Sequence, residues 1–124
     1  MPHCSTTHTE DAPDLPFRLV QKECWLVAEE HGWHDSIHEH TFMEKLLLVH
    51  SELSEALEEY RDGHGFTDVY YVDSKPEGIP IELADAVIRL LDLAEIYKID
   101  LSWAIQEKQA YNKTRAYKHG GKKV

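Results

Sequence analysis

The sequence predicts an all-α protein, and three observations lead to that prediction. Four segments carry helix start and stop signals, their apolar residues recur at helical spacing, and only one short stretch has strand character. The 124 residues suit one domain. We expect residues 1–16 to form a mobile polar leader, 17–119 the single folded domain, and 120–124 a basic tail.

The first two predicted helices have signals at their ends. The first covers roughly 17–31 and is ended by Gly32. The second covers roughly 41–61, with Thr41 as a candidate N-cap and Glu44 three residues later in a capping-box pattern. An Asp-Gly pair then stops it.

The other two helices follow a stretch that is rich in turn residues. Residues 63–79 contain TDVYYVD, which predicts a short strand or an ordered loop. The third helix begins near Pro80, a residue that suits a first helical turn, and runs to about Lys98. The fourth follows Asp100, a good N-cap, and runs to about Lys118.

The second helix carries an apolar stripe with acids beside it. The stripe predicts a core face made of Phe42, Leu46, Val49, Leu53, Ala56 and Tyr60. Glu52, Glu55 and Glu59 cluster on a neighbouring face of the helix, whereas Glu58 points elsewhere. Two or three of these glutamates are therefore expected to border the core.

The third helix repeats this arrangement. Its stripe consists of Leu83, Ala86 or Val87, Leu90, Ala94 and Tyr97. Glu82 and Asp85 lie at the same angular offset from the stripe as Glu52 and Glu55 on the second helix. If the two stripes pack together, four carboxylates converge.

Crowded carboxylates repel one another and need compensation. Protonation, pairing with Arg89 or Lys45, or divalent cations would each supply it, and oxygen ligands suit Mg²⁺ or Mn²⁺. A di-iron bundle is less favoured because no glutamate has His at the third following position. A plain solvated helix face also remains open, since Glu-x-x-Glu is common on surface helices.

Charge and hydropathy narrow the function classes. The net charge is −10, yet residues 108–124 carry six Lys or Arg and no acid. The remaining residues then hold 23 acids and seven basic residues, a balance of −16. The acidic body argues against nucleic-acid binding. No apolar run is long enough for a membrane span. The two cysteines give no disulfide framework, which favours the reducing cytoplasm.

The segments SELSEALEE, IELADAVIRLLDLA and KQAYNKTRAYKHGGK together resemble the MazG-like nucleoside triphosphate pyrophosphohydrolases, and more narrowly their small stand-alone phage members. The resemblance covers about residues 42–122. Glu52 and Glu55 match the end of the family's E-E-x-x-E motif, and Glu82 and Asp85 match its E-x-x-D motif. Ser51 replaces the first glutamate, which puts any extra role of that residue in doubt.

This resemblance implies a four-helix bundle that assembles as a homodimer or homotetramer. It implies cleavage of a nucleoside triphosphate into monophosphate and pyrophosphate, with two or more Mg²⁺ or Mn²⁺ ions held by the four matched carboxylates. Glu55, with Glu52, is the candidate catalytic base. The expected substrate-binding residues are Trp33, Asn112, Lys113, Arg115 and Lys118. Phage members that act on dGTP or GTP make these nucleotides the first substrate to test.

Some aromatic, histidine and leucine residues allow more than one interpretation. Trp33 is expected to lie in a core or an interface, or to stack on a base. The four histidines of residues 31–40 are expected to lie in a polar loop rather than to form a zinc site. Trp103, Ile105 and Tyr111 are expected in core or subunit contacts. Apolar residues outside the stripes predict a second buried surface, as in an oligomer: Leu47, Leu48, Leu91 and Ile96.

Overall fold

The computed structural model describes residues 16–115. Nearly all of the predicted leader, the predicted 120–124 tail and Lys118 lie outside the described residues. The elements are α1 (Phe17–Glu30), α2 (Thr41–Arg61), β1 (Tyr70–Val72), β2 (Lys75–Glu77), α3 (Ile79–Ile96) and α4 (Leu101–Lys113). The prediction of a mostly helical chain with four helices is confirmed for residues 16–115, and a small two-stranded sheet is added to it. None of the described helices is both long and apolar enough to cross a membrane.

Two helices end where glycine lets the chain adopt a left-handed conformation. Gly32 and Gly63 have φ of 77° and 90°. In each case the residue after the glycine donates its N–H back to the last turn, from Trp33 to the Ala28 carbonyl and from His64 to the Glu59 carbonyl. Both are Schellman-type ends, so the helix stops predicted from these glycines are confirmed.

The helix starts agree with the sequence in part. Asp100 caps α4 as expected, because its Oδ1 accepts a hydrogen bond from the Trp103 N–H at 3.0 Å. The assignment of Thr41 as the N-cap of α2 is wrong. His40 occupies that position, and the Thr41 hydroxyl accepts a hydrogen bond from the His38 N–H at 2.7 Å, so it closes the preceding turn instead.

An antiparallel hairpin joins α2 to α3. Tyr71 pairs with Pro76 and Val72 with Lys75 across a two-residue turn, and both turn residues have positive φ. The sequence predicted at most its first strand. After β2, Gly78 has φ of 126°, and a side chain there would collide with the Asp68 carbonyl oxygen, so glycine is required where the hairpin joins α3.

The helices pack mainly through α3, which lies against both α2 and α1, whereas α4 contacts α1. The buried apolar residues are few and mostly small: Ala28, Ala56, Ile79, Ala86, Leu91, Leu93 and Ala94. Leu91 is thus buried within the chain, although it was expected at a subunit contact.

The predicted core stripes of α2 and α3 are largely exposed. Phe42 is 41% exposed, Leu53 47% and Leu83 47%. The residues of α2 that face inward and are buried are Thr41, Glu52 and Ala56. The stripe prediction is therefore wrong for most of its large residues in the single chain, whereas its small members Ala56, Ala86 and Ala94 are buried. Phe42 also meets Tyr97, just after α3, with ring centres 5.3 Å apart. The helix α2 is rotated so that Glu52 and Ala56, rather than Leu53, face inward.

Candidate metal centre and adjoining cavity

Carboxylates from α2 and α3 converge between the two helices. Glu52, Glu82 and Asp85 each offer an oxygen atom, and the three oxygens lie within 4.8 Å of one another. Glu52 and Glu82 are only 8% and 6% exposed. Glu55 lies one turn after Glu52 on the exposed side and contacts both Glu52 and Glu82. The structure thus brings together the four acids that the sequence grouped.

Burial and contact with neighbouring acids raise the pKa of three of these carboxylates, Glu55, Glu82 and Asp85. The pKa of Glu82 rises to about 7, first through burial and then through the negative charges of Glu55 and Asp85. The pKa of Asp85 is also raised by burial and by Glu52, although Arg89 opposes the rise. A hydrogen bond with Glu52 is the main cause of the raised pKa of Glu55. Without a counterion, the cluster is therefore unfavourable in its fully charged state.

One arginine compensates the cluster only in part. Arg89 lies four residues after Asp85 on α3, yet its Nε donates across the two helices to Glu52 Oε1 at 2.9 Å. The second oxygen of Glu52 is buried and, when the neighbouring carboxylates are all ionised, has no hydrogen-bond donor among the described residues. Because buried polar atoms are nearly always satisfied, this orphaned oxygen fits a site that receives a cation.

The four acids line a cleft of about 610 Å³. The hairpin contributes Lys75 and Glu77 to it, and Lys75 Nζ lies 3.4 Å from Glu77 Oε2. Glu77 first, and then the nearby acids, raise the pKa of Lys75. Sequence reasoning missed both residues because they lie outside the helical repeat. The only signal in the sequence is an acid five residues before Glu82, in a stretch that predicts a short strand or an ordered loop.

A second cavity, of about 210 Å³, adjoins the cleft and shares Trp33, Asp85, Ile88 and Arg89 with it. Its other walls include Val27, Ala28 and Leu48 as well as Lys45 and Asp92, so it is mainly apolar beside a charged cleft. Trp33 is 55% exposed and lines both spaces.

Asp92 and Lys45, which line this cavity, belong to a partly buried polar network. His34 Nε2 lies 2.8 Å from Asp92 Oδ1, and its Nδ1 lies 2.7 Å from Glu29 Oε1. Lys45 approaches the other oxygen of Asp92 at 4.0 Å. Residues 31–40 do form a loop, as expected, but the His34 side chain is only 6% exposed and ties this loop to α3.

Three of the residues predicted to bind substrate, Asn112, Lys113 and Arg115, do not line the cleft within one chain. Asn112 donates to Gln109 on its own helix at 3.1 Å, and the Arg115 guanidinium lies 5.7 Å from the Tyr111 ring centre. Lys113 is exposed at the end of α4. No residue of α4 lines the cleft or the cavity. The three apolar residues expected in core or subunit contacts, Trp103, Ile105 and Tyr111, are exposed as well.

Comparisons of this chain with protein-family models, with curated proteins and with solved structures find no match. The resemblance to the MazG-like enzymes therefore stays a prediction from the sequence.

Proposed function

We propose that this protein is a metal-dependent enzyme that hydrolyses a nucleoside triphosphate to a monophosphate and pyrophosphate. The observation that carries the proposal is the buried carboxylate cluster, with an orphaned oxygen on Glu52, directly beside an apolar cavity. A triphosphate needs cations for its phosphates and a less polar space for its nucleoside. The adjoining cleft and cavity suit these two needs.

Glu52, Glu55, Glu82 and Asp85 would hold the Mg²⁺ or Mn²⁺ ions, two or more per site. The donor set is suitable, because all four ligands are carboxylates and hard divalent cations prefer oxygen. When bound, such cations offset phosphate charge and make a water molecule more acidic.

The protein groups have separate tasks in this proposal. Glu55 is the exposed member of the cluster, so its carboxylate is the best placed to accept a proton from the attacking water. Glu52 is held by Arg89 and would orient the site. Trp33 lines both spaces and would stack on the base while the phosphates occupy the cleft.

The active form in this proposal is a homodimer or homotetramer. Large apolar side chains along the predicted stripes of α2 and α3 are exposed: Phe42, Leu46, Leu53, Tyr60, Leu83, Val87 and Leu90. An apolar surface of this kind marks an interaction site. Assembly would also give Asn112, Lys113 and Arg115 a role, since they would reach the cleft of a neighbouring copy.

The direct test is incubation with a panel of NTPs and dNTPs in Mg²⁺ or Mn²⁺, followed by identification of the products. Monophosphate plus pyrophosphate is the expected result. Diphosphate plus phosphate would contradict the proposed cleavage position.

The same panel tests the base. We expect dGTP or GTP to be the best substrate, since the small phage members that the sequence resembles include enzymes for these nucleotides. Turnover of dUTP or dCTP that equals or exceeds turnover of dGTP would remove this preference and leave the chemistry intact.

The alternative is a non-catalytic helical protein that binds metal for structure or presents an acidic face to a partner. The orphaned oxygen of Glu52 favours metal binding over a plain acidic face. Metal-dependent melting without turnover of any nucleotide would support this alternative.

A further inference from the structure

A second group of three carboxylates lies on the hairpin side of Glu82. Glu59 near the end of α2, Glu77 in β2 and Glu82 in α3 each offer an oxygen, and these three oxygens also lie within 4.8 Å of one another. Glu82 belongs both to this group and to the group with Glu52 and Asp85. The two groups are therefore adjacent and share one carboxylate.

The burial of Glu82 without a cationic partner is the observation that points to a ligand here. Glu82 is only 6% exposed, and among residues 16–115 no Lys, Arg or His side chain lies within salt-bridge distance of its carboxylate. Burying a carboxylate without a cationic partner is costly. Arg89 and Lys75, the two cations of the cleft, pair with Glu52 and Glu77 instead.

The two other acids of the group are held in place by neighbouring side chains. The Tyr70 hydroxyl lies 2.8 Å from both oxygens of Glu59, and His64 Nε2 lies 3.4 Å from Glu59 Oε1. Glu77 is oriented by Lys75 on the same strand. Partners of this kind fix carboxylates that bind metal ions.

The charges around Glu82 match two divalent cations. Six carboxylates border the cleft or its hairpin side: Glu52, Glu55, Glu59, Glu77, Glu82 and Asp85. The two cationic side chains, Arg89 and Lys75, leave four of these negative charges uncompensated. One divalent ion would neutralise half of that surplus and two would neutralise all of it.

We propose that Glu59, Glu77 and Glu82 form a second divalent-cation site, with Glu82 as a carboxylate shared between two ions. The inference rests on the proposed metal centre, because Glu82 belongs to both groups, and it assigns one of the two ions of that centre to each group. It gives the hairpin a task that neither helical repeat supplies: Glu77 closes one side of the cleft by binding an ion.

The test is a titration of the full-length protein with Mn²⁺ alone, followed by electron paramagnetic resonance. We expect two ions per chain and the spectral broadening of two nearby spins. In Glu77→Gln and in Glu59→Gln, one ion should be lost or bound at least about tenfold more weakly, since even an indirect partner of a ligand is worth 10–100-fold in affinity. Asp85→Asn should weaken the other ion instead.

Glu58→Gln is the matched control, because Glu58 lies on the same helix but pairs only with Arg61 at the surface. It should keep both ions. Two ions retained in both Glu77→Gln and Glu59→Gln, or one ion in the wild type that neither substitution affects, would overturn the inference.

These outcomes separate the inference from the proposed function. Two coupled ions with the expected pattern, but no hydrolysis of any triphosphate, would support the second site and remove the enzyme. Hydrolysis in the wild type, with unchanged Mn²⁺ binding in both Glu77→Gln and Glu59→Gln, would support the proposed function and overturn the second site.

Discussion

Two neighbouring faces of α2 have opposite environments. The face that meets α3 buries Thr41, Glu52 and Ala56, whereas the face beside it exposes Leu53 and other large apolar residues. A helix of an ordinary monomer shows the reverse pattern, with the apolar stripe inside. Burying a carboxylate costs free energy, and leaving apolar side chains exposed gives up the favourable free energy of burying them. The difference between the faces therefore shows that the stability of the single chain alone does not explain how α2 packs.

Each face suggests its own explanation. The buried acids are consistent with a metal centre, and the exposed stripe with contact to another copy. Burying one Leu or Phe side chain contributes about 1.5–3 kcal/mol, so several from each copy can offset an association cost of roughly 4–15 kcal/mol. The following predictions test the two explanations separately.

The largest expected effect is on the acidic face. Glu55→Gln, Glu82→Gln and Asp85→Asn keep the side-chain shape and remove a charge, so turnover should fall by roughly 100-fold or more. The metal-free melting temperature should hold or rise, because repulsion between carboxylates is relieved. Glu58→Gln is the control and should keep wild-type turnover. Normal turnover in Glu55→Gln and Asp85→Asn would remove the site assignment.

The next effect is on the apolar face. Leu53→Glu places a charge in the exposed stripe and should reduce the assembly to a smaller species by light scattering at micromolar concentration. Leu19→Glu changes a comparably exposed leucine on α1 and should leave the mass unchanged. A wild-type protein that is already monomeric at this concentration would refute the oligomer.

The third effect joins the two faces. Replacing Lys113 and Arg115 with Ala should raise KM by about tenfold or more, since a hydrogen bond to a charged group contributes about 1.5–3 kcal/mol. Added salt should produce part of this rise. If these residues act on a neighbouring copy, mixing this variant with inactive Asp85→Asn chains should restore some turnover. An unchanged KM would show that Lys113 and Arg115 do not bind substrate and only form the solvated end of α4.

The smallest effect is on the pH dependence of metal-free stability. The pKa of Glu82 is raised from 4.5 to about 7 in the folded protein, so folding favours its protonated form. Its contribution is fully present below pH 4.5 and is lost as the pH rises through 7. The loss should be on the order of 1–3 kcal/mol, because one pKa unit corresponds to about 1.4 kcal/mol.

Urea denaturation at several pH values, with EDTA present, measures this loss. Glu82→Gln should flatten the profile between pH 4.5 and 7. Stability that rises over this window in the wild type, with no difference from Glu82→Gln, would show that Glu82 is not strained in the metal-free protein.

The local features of the fold were predictable from the sequence, and the candidate site was predictable in part. The i, i+3 spacing of Glu52 with Glu55, and of Glu82 with Asp85, ensures that each pair lies together on its helix, so their grouping followed from helix geometry. The hydrogen-bond partner of Arg89 was not predictable, because its choice between Asp85 and Glu52 depends on the distance between the helices. Glu77 was missed because no periodic pattern covers a three-residue strand.

The sequence by itself determined the helical class and most helix ends, since Gly32, Gly63 and Asp100 act through backbone conformation and hydrogen bonds within a few residues. Only the tertiary structure decided which face of α2 meets α3. Rotation of a helix about its axis leaves every local hydrogen bond unchanged, so propensity and spacing do not select it. It is set by contacts between distant segments, and here Ala56 and Ala86, both small and buried, lie on the helix faces that also hold the carboxylates.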